Sequence, residues 1–100
     1  MPYVIEIADL AYDELQAIRV FYRRKILDAI DLQLSQEPTV ETRNRKALIG
    51  LQAHFEHAVP LWELRVGEFR VYYDVDEGGQ KVIIRAVRQK PPHSTTEQSV

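Results

Sequence analysis

One hundred residues, 45% hydrophobic and 28% charged, fit a single soluble globular domain with one modest core rather than a disordered chain. The absence of cysteine excludes disulfides and thiolate metal ligands, and no apolar run approaches a membrane span. A net charge of −2 argues against a general nucleic-acid binder, but residues 1–42 carry four basic and eight acidic side chains and residues 43–100 carry nine and seven, which permits a local anion site in the second half.

The opening residues, Met1-Pro2-Tyr3-Val4-Ile5-Glu6, lack the basic and apolar regions of a signal peptide, so a cytoplasmic location is expected. Tyr3 to Ile7 reads as a short strand. Asp9 is a candidate N-cap for a helix through Ile18, with acids in its first turn, where the helix dipole favours them. A longer helix is predicted from about Val20 to Gln36, with Arg23, Ile26, Leu27, Ile30 and Leu34 at three- and four-residue spacing. No Gly or Pro separates the two, so one kinked helix is the alternative. Pro38 ends the helical region. Thr39 to Arg45 is polar and predicted as loop. Lys46-Ala47-Leu48-Ile49-Gly50 has a short apolar centre expected to dock on the sheet, and Gln52 to Pro60 is predicted as loop. His54 and His57 have metal-ligand spacing only on a helix and no third ligand stands out, so a surface loop without metal is the preferred reading.

Leu61 to Val75 is the most patterned stretch. Two alternating runs flank Gly67-Glu68, and glycine at the first of two loop positions is what a type II′ turn requires. This register sets Val66 opposite Phe69, Arg65 opposite Arg70, Leu64 opposite Val71, Glu63 opposite Tyr72 and Trp62 opposite Tyr73. The pleat then puts Trp62, Leu64, Val66, Phe69, Val71, Tyr73 and Val75 on a core face, and Glu63, Arg65, Arg70, Tyr72 and Asp74 on the other. Two facing arginines repel, which points to an anion or acidic partner; pairing of Arg65 and Arg70 with Glu63 and Asp74 is the alternative. A second turn at Gly78-Gly79 leads to a strand over Lys81 to Arg88. It sets Asp76 opposite Lys81 and Tyr72 opposite Arg85, and sends Arg88 to the core face unless a bulge intervenes. Pro91-Pro92 stops the strand, and residues 91–100 are expected to form a flexible tail.

The order is a strand, two helices and a three-stranded antiparallel meander with the helices on one sheet face, an α+β domain over residues 1–90. That order, Lys46-x-Leu48-x-Gly50, and above all Leu64-Arg65-Val66-Gly67-Glu68-Phe69-Arg70-Val71-Tyr72-Tyr73 resemble the RelE/ParE family of toxins from bacterial type II toxin–antitoxin systems, whose hairpin reads LRVGxYRVxY. The resemblance implies a cytoplasmic toxin bound by a cognate antitoxin, without metal, cofactor or membrane. RelE-like members cleave mRNA at the ribosome; ParE-like members inhibit DNA gyrase instead. An inactive member bound only by its antitoxin is a further alternative.

RNA cleavage of this kind needs a base for the attacking 2′-hydroxyl, cations for the phosphorane and an acid for the leaving oxygen. By the resemblance Arg70 holds the phosphate, and the second family arginine falls near Arg88 or Lys90. Leu61 and Glu63 stand where RelE carries lysines, and no tyrosine follows Lys90. The catalytic set implied is therefore Arg70, Lys90 and His93. Arg65, Arg70, Arg85, Arg88 and Lys46 are candidate phosphate contacts, and Tyr72 is a candidate for stacking on a base.

Overall fold

The computed structural model describes residues 2–90. It contains β1 (Val4–Ile7), α1 (Asp9–Gln16), α2 (Val20–Leu34), β2 (Arg45–Leu48), β3 (Leu61–Val66), β4 (Phe69–Asp76) and β5 (Lys81–Gln89). The strands form one mixed sheet in the order β1-β5-β4-β3-β2, with β1 parallel to β5 and every other pair antiparallel. The expected meander is therefore the centre of a five-stranded sheet. Two four-residue strands extend it, one being the opening strand and the other the Lys46–Leu48 stretch expected only to dock against it. No helix among the described residues is long and apolar enough to cross a membrane.

Two helices form, not one kinked helix, and Arg23 is the reason. From the first turns of α2 it donates Nε to the Leu15 carbonyl (2.9 Å) and Nη2 to those of Gln16 (3.3 Å) and Ile18 (3.0 Å). A charged side chain thereby gathers three carbonyls where α1 ends, that of Leu15 also accepting the Ile18 amide (3.1 Å), and the negative end of the α1 dipole receives a cation. Asp9 is the first helical residue rather than the cap; Ala8 occupies that position with no side-chain bond. The second helix stops at Leu34, short of Gln36.

Both helices lie on one sheet face. Ala11 and Leu15 of α1 and Ile26, Ile30 and Leu34 of α2 pack against Trp62, Leu64, Val71, Tyr73, Val82, Ile84 and Val87. Leu27 turns out of the expected stripe and is exposed. Tyr73 donates its hydroxyl to the Pro38 carbonyl (2.7 Å), fixing the chain where it leaves α2. Arg45 lies buried on this side and donates Nη1 to the Gln33 carbonyl near the end of α2. Strand β1 is held at its start by the Tyr3 amide on the Ser35 carbonyl (2.6 Å).

The hairpin register is as the alternation predicts, residue for residue, from Trp62–Tyr73 to Val66–Phe69. Gly67 has φ +58° and Glu68 no positive φ, the pattern of a type II′ turn. The second turn keeps Asp76 opposite Lys81, and its left-handed residue is Gln80 (φ 54°) rather than either glycine. Asp76 braces this turn through the Gly79 amide (3.1 Å).

Candidate functional site

A register shift between Tyr72 and Tyr73 sets Tyr73 opposite Ile84 but Tyr72 opposite Ala86, leaving Arg85 as the extra residue of β5. Such a bulge reverses the facing of everything beyond it. Val87 therefore turns into the helix-side core, and Arg88 turns to the face away from the helices. Arg65 is opposite Arg70 and Arg70 is opposite Arg88, so three arginines stand in a row across β3, β4 and β5 at the hairpin end of the sheet. Asn44 continues the row at the other side, its carbonyl accepting the Arg65 amide (2.8 Å).

Each member is held differently. Arg65 is exposed, and its side chain has no partner among the described residues. Arg70 is only 9% exposed and donates Nη1 to the carbonyls of Gly67 and Phe69, both at 2.9 Å, which folds it over the turn. Its Nε and Nη2 have no hydrogen-bond partner among the described residues. Arg88 donates Nε to Glu14 (3.0 Å), and its guanidinium carbon lies 5.2 Å from the Phe55 ring centre. Facing cations on neighbouring strands are destabilising unless counter-charged. Here the turn carbonyls and Glu14 relieve two of the three, the row keeps a net positive charge, and its exposed member is Arg65.

The rest of this face is covered, which overturns the expectation that Tyr72 and Arg85 are available to a ligand. The expected loop, Gln52 to Pro60, forms and, together with Leu51, folds across the sheet. Leu51, Ala53 and Phe55 pack on Leu48, Leu61, Tyr72 and Ala86 in a second, smaller core. Tyr72 is 0% exposed beneath Phe55 (ring centres 6.0 Å apart) and is unavailable to stack on a base. Arg85 is likewise taken out of the candidate phosphate contacts. It donates Nε to Asp74 (2.7 Å), whose Oδ2 also accepts the Ala58 amide (2.8 Å) and pins the loop. The pairing of Arg65 and Arg70 with Glu63 and Asp74 does not occur, since Asp74 takes Arg85 and Glu63 lies 3.8 Å from Lys46. Lys46 is exposed at the sheet edge.

The two histidines are not on a helix, and no group of three potential metal ligands exists among the described residues. His57 accepts the Ala53 amide at Nε2 (3.2 Å) and donates Nδ1 to the Ala58 carbonyl (2.8 Å), so its ring braces the loop. The Lys90 amide bonds the Glu68 carbonyl (2.8 Å), which brings the end of β5 beside the hairpin turn and the arginine row. His93 and the expected tail, 91–100, lie outside the described residues. Sequence reasoning missed Glu14 and Phe55 as partners of Arg88, and offered Asp74 to Arg65 and Arg70 rather than to Arg85. The first two lie far from the hairpin in sequence and carry no local signal.

No protein-family model matches the chain, and no curated protein matches it by sequence. Among solved structures, a chain of the toxin–antitoxin complex RelBE2 from Mycobacterium tuberculosis is similar, with a TM-score of 0.71 at 21% identity over 90% of this chain and 93% of that one. A chain of the archaeal RelE–RelB complex from Pyrococcus horikoshii OT3 is similar with a TM-score of 0.70 at 22% identity, over 92% and 99%. Likeness at these identities speaks for architecture, and on that ground the protein has the RelE-like fold of toxin–antitoxin complexes.

Proposed function

We propose that this protein is the toxin of a type II toxin–antitoxin pair, restrained by a cognate antitoxin, and that it inhibits translation by metal-independent cleavage of mRNA at the ribosome. The observation that carries the reading is the row Arg65–Arg70–Arg88 on a RelE-like sheet. Guanidinium groups match the paired oxygens of a phosphate and stay charged throughout the physiological range. In the reaction the 2′-oxygen bonds to the neighbouring phosphorus as its proton leaves, and the bond to the 5′-oxygen breaks as that oxygen takes a proton. The arginines stabilise the doubly negative phosphorane between these events. Lys90 and His93, which continue the chain beyond Arg88, are the assigned proton carriers. Lys46 contributes an outlying backbone contact.

Inducing the chain in bacteria without an antitoxin tests this. Growth arrest with new message ends by primer extension is expected, and Arg70→Ala should abolish both. Normal growth with unaltered messages on induction of the wild type overturns the proposal. Arrest with intact messages removes the cleavage step and leaves a toxin with another target.

A further inference from the structure

Arg88 is set apart from the other two arginines by how firmly it is held from outside the hairpin. On one side Glu14 of α1 reaches it. One carboxylate oxygen accepts the Val87 amide (2.9 Å) and the other accepts Arg88 Nε (3.0 Å). The Val87 amide needs such an acceptor because β1 pairs with β5 only as far as Ile84, so the edge of β5 beyond that point has no neighbouring strand among the described residues. On the other side Phe55 of the covering loop presents its ring to the guanidinium, and Tyr72 supports Phe55 from beneath. An arginine side chain loses rotamer freedom when fixed, and these contacts meet that cost before any ligand arrives.

We propose that Glu14 and Phe55 are positioning residues for Arg88, presenting its guanidinium in a set orientation to a phosphate bound at the arginine row. The inference rests on the functional reading above. Its chemistry is specific: the carboxylate holds Nε, and the ring packs against the guanidinium carbon, so the group is oriented from two sides. Glu14 also neutralises part of the charge that Arg88 adds opposite Arg70, which lets the row exist in the unbound protein.

Glu14→Gln separates positioning from folding. Its single side-chain carbonyl serves the Val87 amide, which is the more costly group to leave unpaired because Val87 is buried, and Arg88 Nε loses its acceptor. The affinity of purified protein for a short single-stranded RNA, read by fluorescence anisotropy at low salt, should fall about tenfold for Arg88→Ala and nearly as much for Glu14→Gln. Phe55→Leu, which keeps an apolar cover on Tyr72, should fall less. In an Arg88→Ala background neither second substitution should cost more than about twofold, because residues acting through one group are not additive. A Glu14→Gln effect as large in that background as alone overturns the proposal, as does unchanged affinity. A second readout does not depend on RNA. The Arg88 Nε–H resonance should be protected from exchange in the wild type and lose that protection in Glu14→Gln. A wild-type protein that binds no RNA overturns the functional reading. The resonance then judges the positioning contact separately, and retained protection in Glu14→Gln overturns it too.

Discussion

Replacing Asp74 with alanine should be among the most damaging single changes in this chain, although Asp74 belongs to neither helix-side core nor arginine row. Its side chain is 2% exposed and accepts three bonds, from Arg85 Nε (2.7 Å), Arg85 Nη2 (3.4 Å) and the Ala58 amide (2.8 Å). Alanine leaves a guanidinium that is 19% exposed without its counter-charge and a loop amide without its acceptor. Breaking a buried pair from one side costs about 3–5 kcal/mol. The loop can hinge outward and let water reach both groups, so the lower end applies, about 3 kcal/mol. For a chain of this size each kcal/mol corresponds to about 4–8 °C in Tm, so a fall of about 15 °C is expected by calorimetry, with a matching drop in the urea midpoint. Asp74→Asn keeps one acceptor oxygen and should lose roughly half as much. The double change Asp74→Ala with Arg85→Met removes both charges and should recover most of the loss. A Tm within about 4 °C of the wild type for Asp74→Ala, or a double variant no better than the single, would refute this account of how the loop is held.

Arg23→Ala should cost about 2 kcal/mol, since it removes charge-assisted bonds to three carbonyls at the end of α1, and thermal melts should show this without loss of the β-sheet signal in circular dichroism. Tyr73 has its pKa pushed up by burial, with the nearby Arg45 charge opposing only part of that effect. The folded state thus holds this proton more tightly than the unfolded chain, so the stabilisation is complete below the ordinary tyrosine pKa of about 10 and declines as pH rises past it. Tyr73→Phe should be less stable at pH 8 by about 1 kcal/mol from the lost Pro38 bond, and should show a shallower decline between pH 9.5 and 11 in urea titrations. Arg65→Ala should leave Tm within about 2 °C, because its side chain is exposed and holds nothing among the described residues, and should lower the salt slope of single-stranded RNA binding by about 0.7.

The parts of this fold legible in the sequence are those whose signal is local. Gly67-Glu68 between two strictly alternating runs fixes the hairpin pairs, and the parity of Arg88 exposes the need for a bulge, because the uninterrupted strand would bury a cation. The four-residue strands β1 and β2 were less legible. Strands so short carry too few alternations to declare a partner, and parallel pairing of β1 with β5 leaves no turn between them to read. Least legible was the fate of Tyr72 and Arg85. Alternation puts both on the face away from the helices, but whether that face is wet depends on residues 51–60, which have no period. Only the fold brings Phe55 over Tyr72 and Ala58 to Asp74. The loss of Tyr72 and Arg85 from the candidate contacts is therefore tied to one aperiodic loop.

The extra residue at Arg85 has a consequence for how this strand tolerates change. It divides β5 into two lengths with opposite phase. The first runs beside β1 and fills the helix-side core from Val82 and Ile84, and the second aims Arg88 outward while turning Val87 in. Losing Arg85 alone would remove the bulge and leave Ile84, Ala86, Val87 and Arg88 in simple alternation, with Val87 still turned in and Arg88 still turned out. Losing Arg85 and Ala86 together would put Val87 directly after Ile84 and, in an unbulged strand, turn Val87 outward and Arg88 toward the helices. Length in this part of the chain is thus counted modulo two, and a variant shorter by two residues here would carry every arginine of the row in its sequence while turning one of them to the helix side.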